Sequence, residues 1–167
     1  MLVSNNTIPQ IIFFLFVLIM LAVMGTFFGW IWAIGNGFQK FIHPHIKMKN
    51  KKFRIFYFLG IGYFAFSPLS IVLNDLLVHI NLTYLTGFII PLHLFFMFCL
   101  FYSIYYVGKT IKAAEIQQEV RFSDVFGEFM LIWFFPIGIW FIQPRVNAIA
   151  LKDLSESIIE QIGRSEE

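Results

Sequence analysis

Charge is what this sequence has least of. No Asp, Glu, Lys or Arg occurs from Met1 to Gln39, from Ile55 to Asn74, from Leu76 to Gly108 or from Phe129 to Pro144, and charged residues are only 13% of the chain. Against 59% hydrophobic residues, that scarcity excludes a soluble domain, because a core of this size could not hide so much apolar surface. The single cysteine, Cys99, excludes an intrachain disulfide and any metal site built from several thiolates. Gly-rich phosphate loops, paired carboxylates, a His-Glu-x-x-His pattern and a Ser-His-Asp ordering are also missing. The residues therefore give an enzyme reading no positive support and call for no cofactor. No Lys or Arg precedes Lys40, so the apolar run from Ile8 to about Ile34 lacks the basic start of a secretory signal and reads as an uncleaved span.

What is present points to a bilayer. Mean hydropathy is +0.77, and aromatic residues make up a fifth of the chain, with 23 Phe spread through every apolar run instead of marking one helical face. A spanning helix needs roughly 20 mainly apolar residues to cover about 30 Å of hydrocarbon. The uncharged stretches predict four helices, near 8–34, 55–79, 86–110 and 125–143. The expected fold is an all-α integral membrane protein, a four-helix transmembrane bundle over 1–145 with a C-terminal amphipathic helix over 146–167. No internal repeat or low-complexity linker divides it.

Charge also sets the expected orientation. The loop 35–54 carries Lys40, Lys47, Lys49, Lys51, Lys52 and Arg54 and no acid, whereas the link after the second span, Ile80 to Leu85, is uncharged. By the positive-inside rule the basic loop is cytoplasmic and the amino terminus outside. That is the threading expected of a multi-pass protein in a bacterial inner membrane. The third link, Lys109 to Asp124, returns to the cytoplasm as a helical continuation of the third span, and Ser123 is the expected N-cap of the next helix.

The fourth segment is short. Its 16 uncharged residues have Pro136 and Gly138 near the middle, and make ~24 Å of helix. To cross, it must include Val125 and Phe126, with Glu128 and Arg145 snorkelling at opposite ends. If it re-enters instead, all twelve basic residues stay on one side. Its apolar character on every side favours crossing.

Few polar residues are out of place. Asp75 is the one acid within the central apolar runs, and a carboxylate there costs several kcal/mol unless paired, protonated or near the interface. It is preceded by Asn74, shares a helical face with His79, and lies at a depth comparable to that of His93. Asn74, Asp75, His79 and His93 are thus a candidate intramembrane cluster. It reads as a polar cap joining helix ends, as part of a proton or ion path, or as a metal or haem site. Lys47, Lys49, Lys51, Lys52 and Arg54 are expected to meet anionic lipid headgroups, each worth about 1 kcal/mol near the surface. Nucleic acid is not expected there, since no aromatic platform or recognition helix surrounds the loop. His43 and His45 flank Pro44 without further metal ligands nearby.

Gly25, Gly29 and Ala33 form a small-residue stripe at four-residue steps, expected to pack another helix of the chain, with a homodimer as the alternative. Pro68 and Pro91 are expected to kink the second and third spans. Beyond Arg145, Ile149, Leu151, Leu154, Ile158 and Ile162 recur at helical spacing between charged residues, an amphipathic helix expected to end at Gly163 and to lie on the membrane, on the bundle or on a partner. Asn5 and Asn81 stand in Asn-x-Thr sequons.

The stretch "FSDVFGEFMLIWFFPIGIWFIQPRVN", chiefly Phe134 to Asn147, resembles the corresponding segment of small, uncharacterised bacterial multi-pass membrane proteins. The resemblance covers 26 residues and implies that "PIGIWFIQPR" is a unit of its own. No functional residue travels with it. The expected function is that of a non-enzymatic accessory or assembly component of a membrane complex, its partners being the bilayer and a second copy or another membrane protein. A small oligomeric channel or transporter for ions or protons is the first alternative. A membrane redox enzyme using Asp75, His79 and His93 is the second.

Overall fold

The computed structural model describes the backbone over residues 7–76 and 82–165, with side chains over 8–64, 87 and 90–165. Every described element is helical. The order is α1 (Thr7–Gly37), 3-10 turns at Phe38–Phe41 and Pro44–Ile46, α2 (Asn50–Leu76), α3 (Leu82–Ile116), α4 (Phe122–Trp133) and α5 (Phe135–Ser165). Two segments, Ile8–Phe41 and Ile90–Ile116, are long and apolar enough to cross a membrane. The 31 residues of α1 extend about 46 Å, more than a hydrocarbon core requires. Helices α2 and α3 outlast their uncharged runs, because Lys51, Lys52, Arg54, Lys109 and Lys112 are themselves good helix formers, whereas α1 ends at Gly37, inside its own.

The packed core lies at one end, where the chain leaves α1 and enters α2. Ile31, Ile34 and Phe38 pack with Phe53 and Tyr57 of α2 and with Ile104, Val107 and Ile111 of α3, while Ile8 to Val23 of α1 leave nearly all their large apolar side chains exposed. Phe53 is fully buried, stacked on Tyr106 with ring centroids 4.6 Å apart. It lies against Gly35, where an added Cβ would come within 2.3 Å of its ring.

The fourth segment departs from the expectation of one membrane-crossing helix. Helix α4 runs back along α3, with Val125 and Glu128 against Gly108, and Phe129 and Trp133 against the Phe101 ring at 6.0 and 4.7 Å. At Phe134 (φ −90, ψ 48) the helix stops, and α5 reverses direction. The Phe134 N–H donates to Met130 O at 3.0 Å, and the Ile137 and Gly138 N–H groups donate to Phe134 O at 2.9 and 2.8 Å. Pro136 sits in the first turn of α5, where its missing N–H costs no helical bond. Gly138 then rests directly on the Leu131 backbone, where a Cβ would overlap the carbonyl oxygen at 1.7 Å. Proline and glycine in mid-segment thus mark a helical hairpin, not a kinked span.

Three smaller expectations are also revised. The Gly25, Gly29 and Ala33 stripe faces outward, with nothing within 4 Å of a Cβ built on either glycine. Contact with neighbouring elements is made instead at Gly35, Gly108 and Gly138. The N-cap of α4 is Arg121, not Ser123, and the Asp124 carboxylate accepts from the Arg121 N–H at 3.0 Å. Helix α5 continues through Pro144 and past Gly163 to Ser165, so the boundary between 145 and 146 falls within a helix.

Candidate functional site

The C-terminal end of α3, the start of α4, the middle of α5 and the basic loop converge at the packed end of the fold. Arg145 Nε donates to Glu115 Oε1 at 3.1 Å, and its Nη2 donates to Glu115 Oε2 at 2.6 Å and to Glu128 Oε1 at 2.8 Å. A guanidinium gripping one carboxylate with two N–H groups is among the stronger ion-pair geometries. Lys112 Nζ stands 3.2 Å from Glu115 Oε2 and 3.7 Å from Glu128 Oε1. Two cations thus neutralise two anions. Glu128 is only 6% exposed, so its charge depends on these partners. Glu115 lies on α3 beyond Thr110, and hydrogen bonds from Arg145 and Lys112 pair its carboxylate.

A second network secures the loop. Gln39 Nε2 donates to Tyr106 Oη at 3.0 Å and Thr110 Oγ1 at 3.3 Å, Gln39 Oε1 accepts from the Met48 N–H at 3.2 Å, and Tyr106 Oη donates to Asn50 Oδ1. Gln39, Tyr106 and Thr110 are buried, and each bond lets a polar side chain avoid the cost of burial without a partner. Gln117 clasps the same loop from the end of α3. Its Nε2 donates to Phe41 O at 2.7 Å and Ala114 O at 2.9 Å, and its Oε1 accepts from the His43 N–H at 3.0 Å. The Gln117 backbone is left-handed (φ 51) and its N–H closes α3 on Ala113 O at 2.9 Å. Glycine usually fills that position, and another residue costs about 1–2 kcal/mol there. The three side-chain bonds offset that strain.

Beside the ion cluster is an open cleft of about 410 Å³, with Phe41, His43 and Gln117 on one wall and Arg145, Lys152 and Glu156 on the other. Charged residues of α5 border it, and the exposed apolar residues of the tail, Leu151, Leu154 and Ile158, lie on the other side of the helix. Arg145 and Glu128, expected at opposite ends of a crossing helix, are hydrogen-bonded to each other. The signal for this was available in sequence: an acid and a base 17 residues apart with Pro136 and Gly138 between them fit a hairpin. Gln39, Tyr106, Thr110 and Gln117 carried no comparable signal.

Of the expected intramembrane cluster, His79 lies outside the described residues, and Asn74 and Asp75 fall where only the α2 backbone is described. His93 is exposed and hydrogen-bonded to Tyr63. Lys47, Lys49, Lys51, Lys52 and Arg54 are all exposed. Arg54 Nε donates to Asn36 Oδ1 at 2.9 Å, and its guanidinium lies 5.9 Å from the Trp32 ring. His43 and His45 stack with centroids 5.2 Å apart, and among the described residues no group of three potential metal ligands forms. Comparison with protein families, with curated proteins and with solved structures returns no match for this chain.

Proposed function

We propose that this chain is a multi-pass membrane protein with a scaffolding role, an accessory or assembly component that offers surfaces to partners and performs no chemistry of its own. The observation that carries the reading is the division of its surface. Polar side chains at the packed end are spent on bonds between helices, whereas Ile8–Val23 of α1 and the outer face of α5 stay apolar and uncovered. A catalyst or a pore would be expected to keep polar groups free for substrate or ion. In this reading α1, α2 and α3 cross the bilayer and the α4–α5 hairpin dips in and returns. Helix α4, 12 residues long, reaches about 18 Å, too short to cross. The Arg145 bonds to Glu115 favour return to the side of the basic loop. All twelve Lys and Arg then stand on the cytoplasmic side, as the positive-inside rule prefers, with the exposed lysines of the loop against anionic headgroups.

Two measurements test the proposal. In a Cys99→Ala background, a cysteine replacing Ser157 is expected to resist an impermeant thiol reagent in intact cells and to react after lysis; labelling from outside would exclude re-entry. Reconstituted into liposomes, the protein is expected to pass no ions or protons. One observation favours the channel reading, the His93 imidazole bonded to Tyr63 between apolar helices. A proton flux abolished by His93→Phe or Asp75→Asn at unchanged abundance would establish that reading in place of the scaffold.

A further inference from the structure

The outer face of α5 has a heptad order. From Ile137, alternating three- and four-residue steps reach Trp140, Pro144, Asn147, Leu151, Leu154 and Ile158, and every one of these is exposed, Trp140 at 79% and Leu151 at 65%. The bundle is met by the opposite face, where Gly138, Ile142 and Val146 are buried. Alternating three- and four-residue spacing over about 32 Å of helix is the pattern of a seam that packs against another helix. In its first half lies a groove of about 360 Å³ lined by Ile139, Trp140, Gln143, Asn147 and the in-helix Pro144.

We infer that this seam binds the same seam of a second copy, making the protein a parallel homodimer through α5. Two features select that occupant. The stripe continues from the hairpin, below Arg145, into the tail beyond it, so whatever covers it must be apolar at both levels. A second copy in the same membrane has the same orientation and brings the same stripe to the same height. The charges are also arranged for self-contact. Positions flanking the seam, Ala148, Ala150, Ser155 and Ser157, are neutral, while Asp153, Glu156 and Glu160 lie away from it. Two identical acidic tails therefore meet without like charges facing each other. Asn147, on the seam, accepts from Gln143 Nε2 at 2.9 Å, so its own amide N–H groups are available to donate to the Asn147 of a second copy, a polar pairing of the kind that fixes register.

The inference rests on the membrane reading only for the parallel orientation. Its test uses the full chain in native membranes, in the Cys99→Ala background, with single cysteines at seam positions (Leu151→Cys, Leu154→Cys, Ile158→Cys) or off it (Asp153→Cys, Glu156→Cys, Glu160→Cys). These side chains are exposed in the single chain, so none of the substitutions threatens the fold. Under mild copper-catalysed oxidation the seam set is expected to give disulfide-linked dimers at several times the yield of the other set, because a disulfide needs Cβ atoms about 4 Å apart. Equal yields in the two sets, no linkage at the seam, or an adduct of mass other than twice the chain would each overturn the inference. External labelling at position 157 would defeat the re-entrant topology while leaving the seam pattern intact. A flat linkage pattern would do the reverse.

Discussion

Replacing Arg145 with Met removes the guanidinium that closes the hairpin while keeping an unbranched side chain of similar length. The two carboxylates it releases are not equivalent. The Glu115 side chain is 35% exposed and keeps Lys112 at 3.2 Å, so its loss is that of a surface pair, about 0.5–1 kcal/mol. The Glu128 side chain is 8% exposed and keeps only Lys112 at 3.7 Å. An uncompensated buried carboxylate costs about 3–5 kcal/mol, and the remaining lysine places this one at the lower end, about 3 kcal/mol. The double variant Arg145→Met/Glu128→Gln removes the stranded charge, and most of the lost stability is expected to return. Unfolding in mild detergent, followed by tryptophan fluorescence, measures both, since Trp30 donates to Gln143 of α5 at 2.9 Å and Trp133 precedes the turn. Equal destabilisation of the single and double variants would refute the reasoning, because the cost would then lie in lost packing and not in an unpaired charge.

Gly138→Ala is expected to prevent hairpin closure, since the new Cβ would overlap Leu131 O; aggregation or a broadened profile on size exclusion would register it, whereas Gly25→Ala, with open space around it, is expected to be silent in the same assay. Gln117→Gly relieves the left-handed backbone but loses the loop clasp, while Gln117→Ala loses the clasp and keeps the strain, so Ala is expected to be the less stable of the two by about 1 kcal/mol, read from the same unfolding curves.

The helical character, the presence of segments long and apolar enough to cross a membrane and the places where α1 to α3 lie were legible in the sequence, because apolar length and charge are summed locally and need no knowledge of neighbours. Helix α1 lies within its charge-free run, whereas α2 begins before its run and α3 continues past its own into flanking charged residues. The basic loop was legible for the same reason, as was the amphipathic spacing of the tail. What the sequence could not rank was the fourth segment, where a span and a hairpin have the same hydropathy. Tertiary contact decided it: Gly138 meeting the Leu131 backbone, and Arg145 reaching Glu128 and Glu115, depend on which surfaces can come within 3 Å of one another. The glycine stripe on α1 did not identify the close contacts within the chain for the same reason. Spacing shows that a face is smooth, and only the fold shows that Phe53 was placed on Gly35 while Gly25 and Gly29 were left facing outward.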